Sequence, residues 1–193
     1  MNVKPILFNA EMVRSILDGR KTVTRRVIKH DVDAILNSTY HKEHPEVDDK
    51  QIISKLCMPP YQPGDILYVR ETWAQAAAHT FFYRANKTVQ NILWRPSIHM
   101  PKEAARIFLK VTSVRVERLQ DIDDEQAKEE GANWRNGKNV GFEEKMRRSA
   151  VERFAEIWNA TIKKSDLDRY GWDANPFVWV IEFEVCDKPE LLK

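Results

Sequence analysis

Apolar and polar residues alternate in several short segments of the chain, a pattern typical of strands with one buried face. The segment 106–119 is long enough to require a bend or bulge, as in a strand that curves around a small barrel. The β-like segments are 3–8, 22–28, 66–73, 81–84, 106–119 and 176–185. The sequence therefore predicts about six strands.

Helical spacing of apolar residues occurs in three other segments. Residues 12–17 carry an apolar stripe, with Asn9 as candidate N-cap and Gly19 where a left-handed residue ends a helix. Residues 124–130 form a short predicted helix, and residues 142–160 the strongest amphipathic pattern. Together these elements predict an α+β fold, a mixed β-barrel with about three helices packed around it.

Two polar stretches interrupt this pattern at about 29–62 and 74–104, and we interpret them as insertions in a single domain covering residues 1–193. The first includes a predicted short helix near 48–56. Histidines and a cysteine also occur there, but their spacing matches no closed zinc site, and we expect solvated loop side chains and no metal. These residues are His30, His41, His44 and Cys57.

Composition limits the function classes. The formal net charge is only +2, because 31 Lys and Arg stand against 29 Asp and Glu, so binding of nucleic acid would require a local basic patch. Two cysteines are too few for a disulfide scaffold, and no apolar run is long enough for a membrane helix. We therefore expect a cytoplasmic protein with no membrane partner.

The segment Gly19–Arg26 concentrates cations and hydroxyl groups directly after the first predicted helix. Helix-dipole complementation by Arg20 and Lys21 is one explanation, and contact with an anionic ligand is the other. The candidate ligand contacts of this segment are Arg20, Thr22, Arg25 and Arg26.

Two further groups mix aromatic, charged and hydroxyl side chains. The first ends the strand 66–73, where a site and a structural Arg–Glu pair are both consistent with the pattern. The second is a non-repetitive loop that could contact a nucleobase or a phosphate. The candidate binding residues are Arg70, Glu71 and Trp73 in the first group and Trp94, Arg95, Ser97 and His99 in the second.

The chain contains no Walker loop, no dinucleotide-binding glycine motif and no nucleophile elbow. Its ordered motifs nevertheless resemble the ASCH family over residues 5–185, most closely the longer bacterial and prophage-type members. The motifs are Gly-Arg-Lys-Thr-Val-Thr-Arg-Arg, Pro-Gly-Asp-Ile-Leu-Tyr-Val, Leu-Gln-Asp-Ile followed by Glu-Glu-Gly-Ala, Trp-Arg-Pro-Ser-Ile-His-Met-Pro, Tyr-Gly-Trp-Asp-Ala-Asn-Pro and Val-Trp-Val-Ile-Glu-Phe.

The resemblance implies a PUA-like barrel whose cleft recognises RNA or a modified nucleoside. One branch of short ASCH proteins hydrolyses the amide of N4-acetylcytidine, and its catalytic lysine, threonine and glutamate match Lys21, Thr24 and Glu130. In that role Thr24 attacks or holds a water, a neutral Lys21 accepts a proton, and Glu130 donates one to the departing amine. The insertions at 29–62 and 74–104 set this chain apart from that branch.

Other functions fit the same residues. A non-catalytic module would use the cations on phosphates and a tryptophan on a base, with RNA as partner and DNA as an alternative. A metal-independent ribonuclease would direct the lysine and hydroxyl at a phosphodiester, and a purely structural role is the fourth reading. No cofactor is expected under any of these functions, and the oligomeric state is left open by the sequence.

Overall fold

The computed structural model describes residues 2–44, 46–77, 80–86, 92–132 and 149–190. Its strands match the predicted ones closely, except that segment 66–73 divides. The chain leaves the sheet at Glu71, whose backbone N–H donates to Met100 Sδ at 3.2 Å. The strands are β1 (Val3–Leu7), β2 (Val23–Val27), β3 (Ile66–Arg70), β4 (Trp73–Ala77), β5 (Thr80–Tyr83), β6 (Phe108–Arg118) and β7 (Phe177–Cys186).

The described helices are more numerous than the sequence predicted, because several are too short for a helical period to show. The segment 29–62 alone contains three. Of the predicted helix 142–160, residues 142–148 lie outside the described residues. The helices are α1 (Ala10–Leu17), α2 (Val32–Leu36), α3 (Thr39–Glu43), α4 (Asp49–Cys57), α5 (Asp124–Glu129), α6 (Ala150–Thr161) and α7 (Leu167–Tyr170).

Side-chain caps fix where the helices begin. Asn9 Oδ1 accepts the Met12 N–H at 2.9 Å at the start of α1, as the sequence predicted. Asp123 Oδ1 accepts the Gln126 N–H at 2.8 Å and thereby starts α5. Each cap satisfies a backbone donor that the first turn of a helix leaves unpaired.

The strands form a five-stranded mixed sheet in the order β1-β3-β6-β7-β2 and a two-stranded sheet of β4 and β5. No closed barrel occurs among the described residues, so the predicted barrel is corrected to two open sheets within a mixed α+β fold. Alternating polarity predicts which face of a strand is buried but carries no information on whether two sheet edges pair.

The chain divides into two compact units, and strands β6 and β7 each have residues in both of them. The first comprises residues 1–22, 61–112 and 183–193. Its strands β1 and β3 are parallel, with Val3 opposite Ile66 and Leu7 opposite Arg70. Strand β3 also pairs with β6, in antiparallel orientation. Residues 66–69 are all buried, so β3 is covered on both faces.

The second unit comprises residues 23–60 and 113–182. Strands β2 and β7 pair antiparallel, with Val23 opposite Glu182 and Val27 opposite Val178. One face of this pair packs against helices through Val23, Val178, Val180, Phe154 and Trp158, and the packing buries a continuous apolar core.

Within the described parts of the chain, no helix has the length and apolar character needed to cross a membrane. The same residues contain no group of three or more metal-ligating side chains. His41, one of the histidines considered from sequence, lies with its Nε2 3.2 Å from Asp49 Oδ1.

Candidate functional site

A tight helix ending determines where Lys21 lies. Gly19 adopts a left-handed φ of 69°, and the Ser15 carbonyl accepts hydrogen bonds from the N–H groups of both Arg20 and Lys21. The chain therefore turns sharply, and Lys21 is only 1% exposed. Its ammonium lies 5.6 Å from the centre of the Phe8 ring, within reach of a cation–π interaction.

Strand β2 directs its side chains alternately to two faces. Thr24 and Arg26 share one face, where Arg26 Nη1 donates to Thr24 Oγ1 at 3.1 Å. Arg25 points to the opposite face with Val23, toward the apolar core of the second unit. Thr24 is 1% exposed and Arg25 2% exposed. Two neighbouring residues of the candidate segment therefore serve two different surfaces of the strand.

The guanidinium of Arg25 is held by three acceptors. Arg25 Nη2 donates to Gln126 Oε1 at 2.7 Å and to Glu117 Oε2 at 3.1 Å. Arg25 Nη1 lies 3.4 Å from Glu130 Oε1. We call these four side chains, Arg25, Glu117, Gln126 and Glu130, the Arg25 network. It connects β2, β6 and the end of α5 within the second unit.

The charge alternation continues outward from Glu117 along β6 and β7. Arg115 donates to Glu117 at 2.6 Å and also to Glu182, and Ser113 Oγ donates to Glu182 at 2.7 Å. The hydrogen bond from Ser113 lowers the pKa of Glu182, and burial raises it. Because the Arg115 guanidinium lowers it further, the pKa of Glu182 lies below its ordinary value. Each carboxylate in this series is thereby matched to a cation or a hydroxyl.

In the first unit, the structure brings together the two groups of binding candidates that lie far apart in sequence. The N–H of Arg95 donates to the carbonyl of Trp73 at 2.7 Å, and the reciprocal bond is 3.2 Å long. Arg70 Nη1 donates to the Ile98 carbonyl at 3.3 Å. The Arg95 guanidinium lies 5.2 Å from the Trp73 ring centre. The loop 94–100 is therefore attached to the end of β3 and the start of β4.

Exposure differs sharply among these candidates. Trp73 is 3% exposed and packs against Phe81, whereas the side chains of Arg95 and His99 are exposed to solvent. The Trp73 Nε1 is buried and has no hydrogen-bond partner among the described residues. The other candidates are partly exposed (Arg20, Arg26, Arg70, Trp94 and Ser97) or exposed (Thr22).

Glu71 is the buried acid of this region. Its two carboxylate oxygens accept from Arg106 Nε at 2.8 Å and Nη2 at 3.1 Å, a bidentate pair. The Arg106 guanidinium also stacks 4.0 Å from the Tyr83 ring centre and donates to Asn86 Oδ1. The Arg–Glu pair considered from sequence exists, but the arginine is Arg106 and not Arg70.

Sequence reasoning missed four residues of these contacts. Glu117 and Arg106 lie on or beside a strand and look like ordinary solvated positions, and Gln126 has only its place after the Asp123 cap to mark it. Nothing in the pattern indicates that Met100 accepts a backbone hydrogen bond. Their roles follow only from contacts that the tertiary structure shows. The four residues are Met100, Arg106, Glu117 and Gln126.

Most of the buried polar side chains coincide with the candidates named from sequence. Apart from tyrosine and tryptophan, the buried polar or charged residues in the described ranges are Ser15, Lys21, Thr24, Arg25, Asp65, Glu71 and Glu130. Five of these seven were candidates: Lys21, Thr24, Arg25, Glu71 and Glu130. Burial of charge is costly, so a chain retains it for a structural or chemical reason.

Comparison with known proteins finds solved structures of low sequence identity and low structural similarity. No family model matches the chain, and no curated protein matches it. Among solved structures, the hypothetical protein PH0355 is 13% identical with a TM-score of 0.42, covering 96% of this chain and 100% of that one. Protein EF3133 from Enterococcus faecalis, of family model DUF984, is 12% identical with a TM-score of 0.45, covering 97% and 77%.

An ASCH domain from Lactobacillus crispatus is 13% identical with a TM-score of 0.40, covering 95% of this chain and 79% of that one. TM-scores at this level do not establish a shared fold. The function must therefore be inferred from this chain's own residues.

Proposed function

We propose that this chain is an ASCH-type domain that recognises a modified nucleoside, free or within RNA, and hydrolyses the amide of N4-acylated cytidine. The observation that carries the proposal is the burial of Lys21, Thr24 and Glu130, the three positions that match the catalytic residues of N4-acetylcytidine amidohydrolases. Buried ionisable groups are uncommon away from functional sites and structural ion pairs.

In this reaction water is added across the bond between the acyl carbon and N4. The acyl carbon receives a hydroxyl and leaves as a carboxylic acid, and N4 receives a proton and becomes the amino group of cytidine. Thr24 is proposed either to hold that water or to attack first and form an acyl ester that the water then hydrolyses, and Lys21 is proposed to accept the proton of the attacking hydroxyl or water. Glu130 is proposed to relay to the leaving N4 the proton that Lys21 has accepted, so that both amino acids regain their starting protonation at the end of the reaction.

Burial supports the assignment of Lys21 as a proton acceptor. An exposed lysine remains charged at neutral pH and is a poor base, whereas removal from water disfavours the ammonium form. Lys21 is almost fully removed from water. Thr24 is equally buried, three residues further along the chain.

The test is incubation of the purified protein with a panel of N4-acylated cytidines, followed by mass spectrometry for loss of the acyl group. We expect turnover by the wild type and a loss of about 100-fold or more in Lys21→Ala. Lys164→Ala removes the same charge at an exposed position of the chain and should retain turnover. Full turnover in Lys21→Ala would refute the catalytic assignment.

Binding of RNA without catalysis is a second candidate, favoured by one observation. Arg95 and His99 are exposed on the loop that is attached to Trp73, while Trp94 is partly exposed beside them. Such a surface offers a guanidinium for a phosphate and a ring for a base. Oligonucleotide binding without release of an acyl group would support this function, and metal-independent cleavage of the oligonucleotide would identify a ribonuclease.

A further inference from the structure

We propose that Arg25 is a positioning residue that fixes the carboxylate of Glu130, and that it does not contact the ligand itself. The inference rests on the proposed role of Glu130 in catalysis. It assigns to Arg25 an internal role in place of the phosphate contact that the sequence suggested.

The first step is the cost of placing an arginine at this position. The side chain of Arg25 is 0% exposed and lies on the strand face that carries Val23, against the apolar core of the second unit. A valine or isoleucine would satisfy that face at no electrostatic cost. A guanidinium there requires compensating acceptors, because an unpaired buried charge is strongly destabilising.

The second step is how rigidly Arg25 is held. Gln126 and Glu117 both accept from Nη2, and the guanidinium lies 5.8 Å from the centre of the Phe154 ring. Glu117 is in turn fixed by Arg115. A planar guanidinium held at one nitrogen and against a ring has a defined orientation, and its Nη1 is therefore directed to a fixed point.

The third step is what lies at that point. Glu130 Oε1 is 3.4 Å from Nη1, and Glu130 is the C-cap residue of the six-residue helix α5. A carboxylate at a helix C-terminus is disfavoured by the helix dipole. The cation of Arg25 offsets that repulsion and limits where the carboxylate lies. Gln126, one turn earlier on the same helix, links the arginine to the backbone that carries Glu130.

The experiment compares Arg25→Met and Arg25→Lys with Arg169→Met, which removes one positive charge from an exposed position of the same unit. The direct measurement is side-chain order at Glu130, by NMR of selectively ¹³C-labelled glutamate. We expect one ordered conformation in the wild type and Arg169→Met, several interconverting ones in Arg25→Met, and partial order in Arg25→Lys. An ordered Glu130 in folded Arg25→Met would overturn the inference.

Turnover of N4-acetylcytidine supplies the second measurement. Misplacement of a catalytic group by about 1 Å costs about 100-fold in rate, so kcat of Arg25→Met should fall by that order while KM changes little. Unchanged kcat in a folded Arg25→Met would also count against the positioning role. If the wild type itself has no turnover, the proposed function fails, whereas the NMR measurement still decides the role of Arg25.

If Arg25→Met does not fold, two other variants, Glu117→Gln and Gln126→Leu, test the same inference. Each removes one anchor of Arg25 and leaves both Arg25 and Glu130 in the chain. In each variant we expect the Glu130 side chain to be less ordered than in the wild type and more ordered than in Arg25→Met. A fully ordered Glu130 in both variants would show that its position does not depend on Arg25.

Discussion

Arg25 Nη1 and Glu130 Oε1 lie 3.4 Å apart although the two residues are 105 positions apart in the sequence. The contact joins a strand to the end of a short helix inside one compact unit. It also connects a residue suggested as a phosphate contact to one matched to a catalytic acid. The first prediction follows from the charges that this arginine compensates.

Arg25→Met should lower the free energy of unfolding by about 3 kcal/mol, because two carboxylates lose their buried cation. Adding Glu117→Gln should recover part of that loss, since one uncompensated charge is then removed. Urea denaturation of the single and double variants at pH 7 measures both effects. A double variant that loses the sum of the two single effects would show that the residues are energetically independent.

The Glu71–Arg106 pair should be strongly coupled. Glu71→Gln is expected to cost about 3 kcal/mol, because Glu71 is 1% exposed at its side chain and both its oxygens are bound by Arg106. A double-mutant cycle with Arg106→Gln should give a coupling of about 1–3 kcal/mol.

The exposed pair Lys110–Glu184, 3.3 Å apart, provides the matched control for that cycle. Its coupling should remain below about 1 kcal/mol, because solvent screens the interaction. Equal coupling in the two pairs would contradict the importance assigned to burial.

Asp65 should make the protein sensitive to acid. Burial alone would raise the pKa of Asp65, but hydrogen bonds from Lys4 and from the N–H groups of Gln62 and Asn2 outweigh it and hold the pKa below its ordinary value. The stabilisation is therefore complete above the unfolded-state pKa of about 3.9 and is lost as pH falls toward the lower folded-state pKa.

Urea denaturation at several pH values between about 6 and 2 checks this linkage. Asp65→Asn should be less stable than the wild type at neutral pH by about 2 kcal/mol, and the difference should shrink in acid. The exposed Asp173→Asn should follow the wild type. A difference that stays constant across the pH range would contradict the predicted linkage.

Gly171→Ala should destabilise the second unit by steric conflict. A Cβ at Gly171 would lie 2.5 Å from the Leu167 carbonyl oxygen, which also accepts the Gly171 N–H at 2.7 Å. We expect a loss of about 1–3 kcal/mol by thermal or urea denaturation. Gly64→Ala, at φ 87° in open space, carries only backbone strain and should cost about 1 kcal/mol. A smaller loss at Gly171 than at Gly64 would refute the clash.

If the loop 94–100 contacts RNA, Arg95→Ala should weaken binding of a single-stranded oligonucleotide and reduce its dependence on salt. One lost phosphate contact lowers the slope of log affinity against log salt by about 0.7 for a single strand. Fluorescence anisotropy at several salt concentrations measures that slope. Lys164→Ala, the charge-matched exposed variant, should leave it unchanged. Identical slopes for wild type and Arg95→Ala would exclude a phosphate contact at Arg95.

Local sequence rules were sufficient for most elements of the fold. The Asn9 and Asp123 caps, the left-handed Gly19 and Gly131, and the closing strand β7 are all present as predicted. These features depend on interactions between residues close in the chain, which a sequence pattern records directly. Sheet order and the absence of a closed barrel in the described residues depend on which distant strands pair, and alternation alone does not encode that choice.

For the candidate site, the sequence by itself determined which residue types are proposed for catalysis: a lysine and a threonine after a helix-ending glycine, and a glutamate ending a short helix. The tertiary structure alone decided their surroundings. Period-two alternation separates Thr24 from Arg25, but only long-range packing puts Glu117, Gln126 and Glu130 around the guanidinium of Arg25. Burial of that cation then required those acceptors, because a guanidinium removed from water must recover its hydrogen bonds within the protein.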